Sequence, residues 1–303
     1  PWTTYKKRRN VVYKVEIPSR YKVNNFSLFA KNNSLKKEII SLKYLNKVKK
    51  GDYYDEDILK EIRTEVAADL RSKGYFAFNE SYIEFAIDTN LKSNALNIEM
   101  IVNPPYKMEN DTIVEHIHKP YKINKVFVYP DYYPSTSSLY TPPIDTSIVF
   151  HQHQKKSKGS VLYFIRSKKQ SIKDKPIARS ILLQKGNLFS PTLAKNTFSA
   201  LSQLQNFKYI DISFLPVETK TQEDTLSLDC LIRLSMAKPI NLTSSFEFNF
   251  SNANNSLNIQ NTSTLGSELN FGFSHNNLFK GAEIFSTNIK LAAEVRSDIF
   301  SNK

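Results

Sequence analysis

The stretch from Ser263 to Val295 reads STLGSELNFGFSHNNLFKGAEIFSTNIKLAAEV. On both sides of a polar break at residues 276–280, alternate positions are mostly apolar: Leu265, Leu269, Phe271, Phe273, Phe285, Ile289, Leu291 and Val295. Successive side chains of a strand point to opposite faces, so the pattern predicts a hairpin with one apolar and one polar face. Each strand has roughly 10 or more residues, enough for a tilted strand to cross a bilayer. The stretch therefore predicts a sheet with lipid on one side and water on the other.

Composition narrows the class of protein. The chain has 303 residues, of which 40% are hydrophobic and 23% charged, which is typical of a folded protein with two or three domains. It contains no run of about 18 apolar residues, and this excludes a transmembrane helix. Its formal net charge of +13 fits either a solvated lysine-rich surface or attraction to an anionic partner, lipid or nucleic acid. The single cysteine, Cys230, can form no internal disulfide and is most simply a packing residue.

The region before the alternating stretch predicts a mixed module. A strand at residues 21–29 is followed by a helical stripe of apolar residues from Leu35 to Leu45. A second helix begins near Asp55 and ends at Gly74. Strands at residues 82–87 and 96–102 complete the order strand, helix, helix, strand, strand.

The same order recurs further along the chain. Residues 121–126 echo residues 21–26, a short helix is predicted at residues 177–183, and Ser190-Pro191 opens another helix. Closing strands are predicted at residues 207–214 and 226–234. An insertion at about residues 129–173, with strands near Ile148 and at residues 161–165, is interpreted as a hairpin or loop excursion.

Each module should then hold a three-stranded sheet, and the edge strands of a small sheet offer unpaired backbone groups to a partner strand. The predicted partner-binding edge residues are Tyr82, Ile83, Phe85, Tyr209, Ile210 and Ile212.

Two groups of motifs carry a resemblance to a known family. The strand-helix-helix-strand-strand repeat, with Gly74-Tyr75-Phe76 after the second helix, resembles a POTRA domain. The turn motif resembles the turn after an early barrel strand in the BamA/TamA superfamily of outer-membrane assembly proteins: Asn277, Leu278, Phe279, Gly281, Ala282 and Glu283. Within that superfamily the runs at residues 73–78, 82–85 and 121–123 most resemble TamL, the TamA-like group of Bacteroidetes-type bacteria. The second module departs from the pattern, with Asn206-Phe207-Lys208 in place of Gly-Tyr-Phe.

The resemblance implies an α+β chain of tandem POTRA modules followed by the first antiparallel strands of a transmembrane β-barrel. Residues 1–18 would be the last strand of a preceding module, residues 19–104 one module, residues 119–236 a second, and residues 237–303 the start of the barrel. The first barrel strand, which forms the barrel seam in that family, would carry Leu242, Phe246, Phe248 and Phe250. Because a closed barrel needs at least about 8 strands, and because the chain does not begin with Met, we expect it to be a fragment of a longer protein.

The resemblance also implies a location and a function. The modules would lie in the periplasm and the barrel in the bacterial outer membrane, where the arm receives a partner or substrate by edge-strand pairing and the barrel inserts or delivers membrane proteins or lipids. The implied partners are outer-membrane lipid, a TamB-like or other periplasmic assembly partner, and unfolded outer-membrane protein substrates. No nucleic-acid partner, cofactor or catalytic activity is implied.

Several alternatives remain open at this point. The alternative function is a soluble basic module that binds nucleic acid or an anionic surface, with salt-dependent affinity. The pairs His116/His118 and His151/His153 supply only two metal ligands each, so no metal site is predicted. The 7 glycines form no phosphate loop, and no nucleophile elbow or zinc-protease motif occurs, so no enzyme is predicted. The turn motif is either an ordinary turn in which Gly281 supplies backbone freedom or a device that fixes the register of the first barrel hairpins.

Overall fold

The computed structural model describes residues 20–89, 94–109, 111–133, 145–151, 160–167, 170–217, 224–253 and 262–296. The predicted strand in residues 1–18 lies outside this part of the chain. Four α-helices and thirteen strands are seen in the described residues, so the predicted α+β class is confirmed. The chain divides into two compact units, Pro1–Arg71 with Ala77–His118, and Ser72–Phe76 with Lys119–Lys303.

The first unit has a three-stranded sheet with strand order β1-β3-β2 and two α-helices. Its elements are β1 (Lys22–Ala30), α1 (Asn33–Ser41), α2 (Glu56–Ser72), β2 (Ile83–Asp88) and β3 (Ala95–Val102). The Asn32 side chain caps α1 by accepting from two backbone N–H groups of its first turn. The predicted helical stripe is correct only as far as Ser41, because Leu42 turns to extended backbone and a 3₁₀ helix follows at Lys43–Lys47.

Two details of the first unit differ from the prediction. Tyr82 lies in a 3₁₀ turn, Glu80–Tyr82, because Asn79 caps that turn, so the strand begins one residue later at Ile83. A two-stranded ribbon that the sequence pattern did not predict, β4 (Tyr106–Glu109) with β5 (Thr112–Glu115), follows the sheet.

The second unit holds a larger sheet than expected. Its elements are β6 (Tyr121–Tyr129), β7 (Asp145–His151), β8 (Ser160–Arg166), α3 (Asp174–Ser180), α4 (Pro191–Gln203), β9 (Phe207–Val217) and β10 (Leu226–Met236). The five strands are ordered β7-β8-β6-β10-β9, so the expected three-stranded sheet is wrong for this unit. The insertion forms the hairpin β7–β8, and β8 pairs in parallel with β6 because its Leu162 and Phe164 are buried in the core.

The helix α3 has the predicted length of 7 residues but lies three residues earlier than predicted. It ends at Ser180 because Ile181 has extended backbone, and both Ile181 and Leu183 enter the core as part of a non-helical segment. The core of this unit also contains Val126, Ile177, Leu201, Cys230 and Ile232. Burial raises the pKa of the Cys230 thiol to about 12, so this residue is an unreactive packing residue at neutral pH.

Three long antiparallel strands form a separate sheet at the end of the described chain. They are β11 (Ile240–Ala253), β12 (Thr262–Asn276) and β13 (Ile284–Arg296), in the order β11-β12-β13. Among the described residues, no helix has the length and apolar character needed to span a membrane.

Candidate functional site: a two-faced sheet and its anchored turn

The register of the three-stranded sheet brings the apolar positions of all three strands onto one face. Phe246 lies opposite Leu269, which lies opposite Leu291, and the other apolar rows follow the same register. These side chains are not packed under other elements: Leu242 is 73% exposed, Phe248 69% and Phe250 68%. Most of the remaining members of this face are also exposed, namely Phe246, Leu265, Phe271, Phe285, Ile289, Leu291 and Val295. We call the side of the sheet that carries these side chains the apolar face.

The opposite face of the sheet is polar and internally paired. Lys290 forms an ion pair with Glu268 at 2.7 Å, and the Asn270 side-chain amide donates to the same carboxylate at 2.8 Å. Glu247 lies directly opposite Glu268, so Lys290 also offsets a like-charge contact. A sheet with charges on one face and exposed Phe and Leu on the other suits a boundary between water and hydrocarbon.

The strands are long enough for such a boundary. They have 14, 15 and 13 residues. At about 3.4 Å per residue the shortest extends about 44 Å, and at a tilt of about 45° it covers about 31 Å, close to the thickness of a bilayer core.

The turn between β12 and β13 is held together by Glu283. Its carboxylate accepts hydrogen bonds from the backbone N–H groups of Phe279 and Gly281, the latter at 2.7 Å. Asn277 closes the turn from the other side, because its side-chain oxygen accepts from the Ala282 N–H at 3.2 Å. Hydrogen bonds from the backbone N–H groups of Glu283 itself, Phe279 and Gly281 hold the pKa of the Glu283 carboxyl below its ordinary value, and nearby Lys173 acts in the same direction.

Gly281 does not have the role that the sequence suggested. The left-handed residues of the turn are Asn277, Lys280 and Ala282, with φ of 68°, 62° and 63°, and Gly281 is not among them. A Cβ added at Gly281 would instead lie 2.7 Å from Glu283 Oε2. The explanation that Gly281 supplies backbone freedom is therefore wrong, and this glycine makes room for the carboxylate.

The turn is anchored on the second-unit elements that surround it. The Lys173 N–H donates to the Lys280 carbonyl at 2.8 Å, and the Asn277 side chain donates to the Ser171 carbonyl at 2.8 Å. On its other side the buried Asn206 donates to the Ala282 carbonyl at 3.3 Å. Asn206 is where the second module departs from the Gly-Tyr-Phe pattern, and the structure uses its amide in this contact.

All the predicted edge residues except Tyr82, which lies in the 3₁₀ turn before β2, lie on strands that are edges. β2 is at one end of the first sheet and β9 is at one end of the second, and no described strand pairs with their outer sides. The side chains of the predicted edge residues are less accessible to a partner strand than the backbone groups on the outer sides of β2 and β9. Ile83 is 2% exposed, Phe85 packs near Phe26, and Tyr82 contacts the His118 ring at a centroid distance of 4.6 Å.

On β9, Tyr209 is 39% exposed and stacks on Tyr132, whereas Ile210 and Ile212 pack against the core. Partner binding at β2 and β9 would therefore use mainly backbone groups, and it stays a prediction.

The histidine pairs that the sequence singled out as possible metal ligands are not part of a larger ligand group in the described part of the chain. No group of three or more His, Cys, Asp and Glu side chains with metal-binding geometry occurs there. His118 lies against Phe78 and Tyr82, and burial lowers its pKa. The side chain of His151, and His153 as a whole, lie outside the described residues.

The ribbon β4–β5 and the anchoring of the turn are the features that sequence patterns missed. Tyr106, Met108 and Ile113 of the ribbon are 60%, 74% and 72% exposed. Alternation in Tyr106 and Met108 was the only signal, and strands of four residues are too short for periodicity to identify. The turn contacts join residues more than 70 positions apart, so no local pattern could reveal them.

We expect Gly281→Ala and Glu283→Gln to loosen the turn in the same way. The added Cβ displaces the Glu283 carboxylate, and the amide substitution removes its charge, so both weaken the hydrogen bonds from Phe279 and Gly281. Amide hydrogen exchange at residues 279–283 should become several-fold faster in both variants, with the rest of the second unit unchanged.

The matched control is Ala282→Gly, which relieves a left-handed alanine and leaves the carboxylate in place. Exchange in the turn should stay the same or slow. The pH dependence follows from the lowered pKa of Glu283: its contribution is present above the ordinary pKa of 4.5 and is lost as the pH falls through the lower folded value. Equal exchange in Gly281→Ala and Ala282→Gly would contradict this role of the carboxylate.

Comparison with known proteins gives the following similarities. No family model matches the sequence, and no match to a curated protein is found. Among solved structures, the chain is similar to BamA from Haemophilus ducreyi lacking POTRA domains 1–3, at 11% identity and a TM-score of 0.45 over 90% of this chain. It is also similar to POTRA domains 3–5 of Haemophilus influenzae BamA, at 10% identity and a TM-score of 0.38 over 71% of this chain.

A third similarity is to CdiB from Acinetobacter baumannii, at 14% identity and a TM-score of 0.36 over 92% of this chain. The chain spans 43%, 61% and 39% of these three structures, respectively.

Proposed function

We propose that the chain is part of an outer-membrane assembly or translocation factor of the BamA/TamA type, with the TamL group as the finer assignment. Residues 19–104 and 119–236 form a periplasmic arm of two POTRA-like modules. The three long strands are the first strands of a barrel wall. The protein works without catalysis: the arm receives a partner or substrate strand, and the wall inserts or delivers membrane proteins or lipids.

The apolar face is the single observation that carries this proposal. A water-soluble protein rarely leaves a contiguous patch of Phe, Leu and Ile side chains exposed, and here such side chains occupy one face of three consecutive strands. The paired charges of Lys290 and Glu268 on the other face keep that side compatible with water. Burying the apolar face in hydrocarbon removes its contact with water, and the polar face then lines an aqueous lumen.

The open edges of β2 and β9 support the role of the arm. An edge strand pairs with an extended peptide through main-chain hydrogen bonds, which are indifferent to most of the peptide sequence. That property suits an arm that receives many different unfolded membrane proteins. It also suits an arm that pairs with an edge strand of a TamB-like partner. The cargo, protein or lipid, is the part of the proposal that rests on the family resemblance alone.

The proposal is tested by membrane flotation. The full protein, expressed with an export signal, should float with outer-membrane vesicles on a density gradient. It should resist alkaline carbonate and high salt and be released by detergent. Flotation separates true insertion from aggregation, because an aggregate sediments. Recovery of the protein in the soluble fraction after carbonate treatment would overturn the proposal.

The second candidate function, a soluble basic module, is favoured only by the net charge of +13. Retention on nucleic acid that falls steeply between low and moderate salt, in a protein that does not float with membranes, is the result that would select it.

A further inference from the structure

One end of the three-stranded sheet is surrounded by second-unit segments, and we call this end the foot. It consists of residues 238–240, residues 276–284, and two segments bonded to them, residues 170–173 and 205–208. The bonds include those from the Asn276 N–H to the Pro239 carbonyl at 2.7 Å and from the Asn276 side chain to the Gln205 carbonyl at 3.1 Å. The foot is therefore a defined surface within one compact unit.

Four exposed lysines belong to the foot, namely Lys173, Lys208, Lys238 and Lys280. Backbone contacts bring two of them together, because the Lys173 N–H donates to the Lys280 carbonyl at 2.8 Å. The Lys280 ammonium donates to the Gln170 carbonyl at 3.2 Å, and the Lys208 ammonium lies over the Tyr133 ring.

Carboxylates near the foot cancel only part of this charge. Glu283 accepts from the backbone N–H groups of the turn, keeps its negative charge and offsets one of the four lysines, with Lys173 the nearby one. Asp174, next in sequence to Lys173, is paired with the buried Arg166. The foot therefore presents more positive than negative charge among its described residues.

Apolar side chains lie among these lysines. Phe279 is 73% exposed, Ile240 53%, Leu278 47% and Ile284 44%. Ile240 and Ile284 are the first residues of β11 and β13, so they precede the apolar face directly. A mixture of lysine and exposed apolar residues at the end of a lipid-facing surface fits the headgroup layer, where ammonium groups meet phosphate and apolar groups meet the acyl boundary.

We infer that the foot binds the anionic headgroups of phospholipids in the leaflet next to the modules. The inference rests on the proposed function, because it requires the apolar face to lie in a bilayer. Lipid is the occupant that fits better than a free anion, because a free phosphate would leave Phe279 and Ile240 in water. Bound anionic lipid would hold the turn and the first hairpin at a fixed depth.

The test uses the full protein in nanodiscs of phosphatidylcholine mixed with phosphatidylglycerol. Lipid that is retained after transfer to detergent is measured by mass spectrometry. The wild-type protein should retain phosphatidylglycerol in excess over its share of the bilayer. The variant Lys173→Gln/Lys208→Gln/Lys238→Gln/Lys280→Gln should lose roughly tenfold or more of that enrichment, since each lysine near an anionic surface contributes about fivefold in affinity.

The matched control replaces four exposed lysines of the first unit with glutamine, namely Lys37, Lys49, Lys50 and Lys107. It changes the net charge equally and should keep the enrichment. Equal loss in both variants would show a general charge effect and would overturn the inference. Loss of the enrichment on adding inorganic phosphate would overturn it in favour of a free-anion site.

Flotation of the same preparations separates this inference from the proposed function. A wild-type protein that does not float overturns both. A wild-type protein that floats without enriching phosphatidylglycerol overturns the lipid inference alone. If the fourfold variant does not float, the double variant Lys238→Gln/Lys280→Gln takes its place, and its enrichment must still fall several-fold below that of the wild type.

Discussion

Phe246→Lys is expected to cost about 2–4 kcal/mol in the free energy of unfolding from a bilayer, the range for a lysine on the lipid face near the midplane of a barrel. Phe246 is the seventh of the 14 residues of β11, and its row continues through Leu269 and Leu291. The site is therefore at the centre of the apolar face, where an ammonium group has the longest distance to water. The measurement is a urea titration of the protein refolded into lipid vesicles. The folded fraction at each urea concentration is read from the protection of the protein against added protease.

The adjacent residue provides the control. Ser245 belongs to the polar face and lies opposite Asn270, so Ser245→Lys places the same charge at the same depth on the other side of the wall. Its effect should stay within about 0.5 kcal/mol, as for an ordinary exposed substitution. If the two lysines cost the same, the sheet does not separate hydrocarbon from water, and the central claim about the apolar face fails.

The contrast between these two neighbours shows why the sheet was predictable. A strand alternates with a period of two, so a slip of one residue would turn every Phe and Leu to the wrong face. The pattern of residues 263–295 therefore predicted both strands and the face to which each side chain points. The structure adds the register, with Phe271 opposite Ile289 and Leu265 opposite Val295. The strands and helix starts of the modules were predictable for similar local reasons, such as the Ser190 cap before Pro191.

The errors occurred where contacts distant in sequence decide the structure. Residues 181–183 are apolar enough to continue a helix, but the core accepts Ile181 and Leu183 from extended backbone. The strand β8 joins the main sheet through pairing with β6, which lies more than 30 residues earlier. In the turn, the glycine was correctly singled out but its role was misread, because the position of the Glu283 carboxylate depends on tertiary folding.

A buried ion pair joins Arg166 of the insertion to Asp174 of α3. Its disruption is the second change that we expect to lower the stability of the protein strongly. Arg166 at the end of β8 is 2% exposed, and its guanidinium contacts Asp174 at the start of α3 and the Ser147 hydroxyl, the latter at 3.0 Å. Burial lowers the pKa of Arg166, which expresses the cost of holding its charge away from water. Asp174→Asn removes the close carboxylate and leaves Asp145, at 3.8 Å, as the remaining ion-pair partner.

We expect Asp174→Asn to lower the free energy of unfolding of the second unit by about 3–5 kcal/mol. The buried Arg166 guanidinium loses its close carboxylate, and the exposed Asp145, at 3.8 Å, replaces little of that interaction. The double variant Arg166→Met/Asp174→Asn should recover most of this loss, since the buried charge is gone. Asp211→Asn is the control: it breaks the Arg233 pair at 2.7 Å, whose side chains are about one third exposed, and it should cost about 1 kcal/mol or less.

Chemical denaturation of the detergent-solubilised protein, followed by near-ultraviolet circular dichroism, measures all three variants. Equal losses in Asp174→Asn and the double variant would mean that packing, and not the unpaired charge, sets the cost. The result also bears on the turn, because the segment at residues 170–173 leads from Arg166 into α3 and carries the Ser171 and Lys173 groups that anchor the turn. Loosening the ion pair should therefore speed exchange of the Lys173 amide, which donates to the Lys280 carbonyl, before the unit unfolds. This result would tie the insertion to the position of the first hairpin.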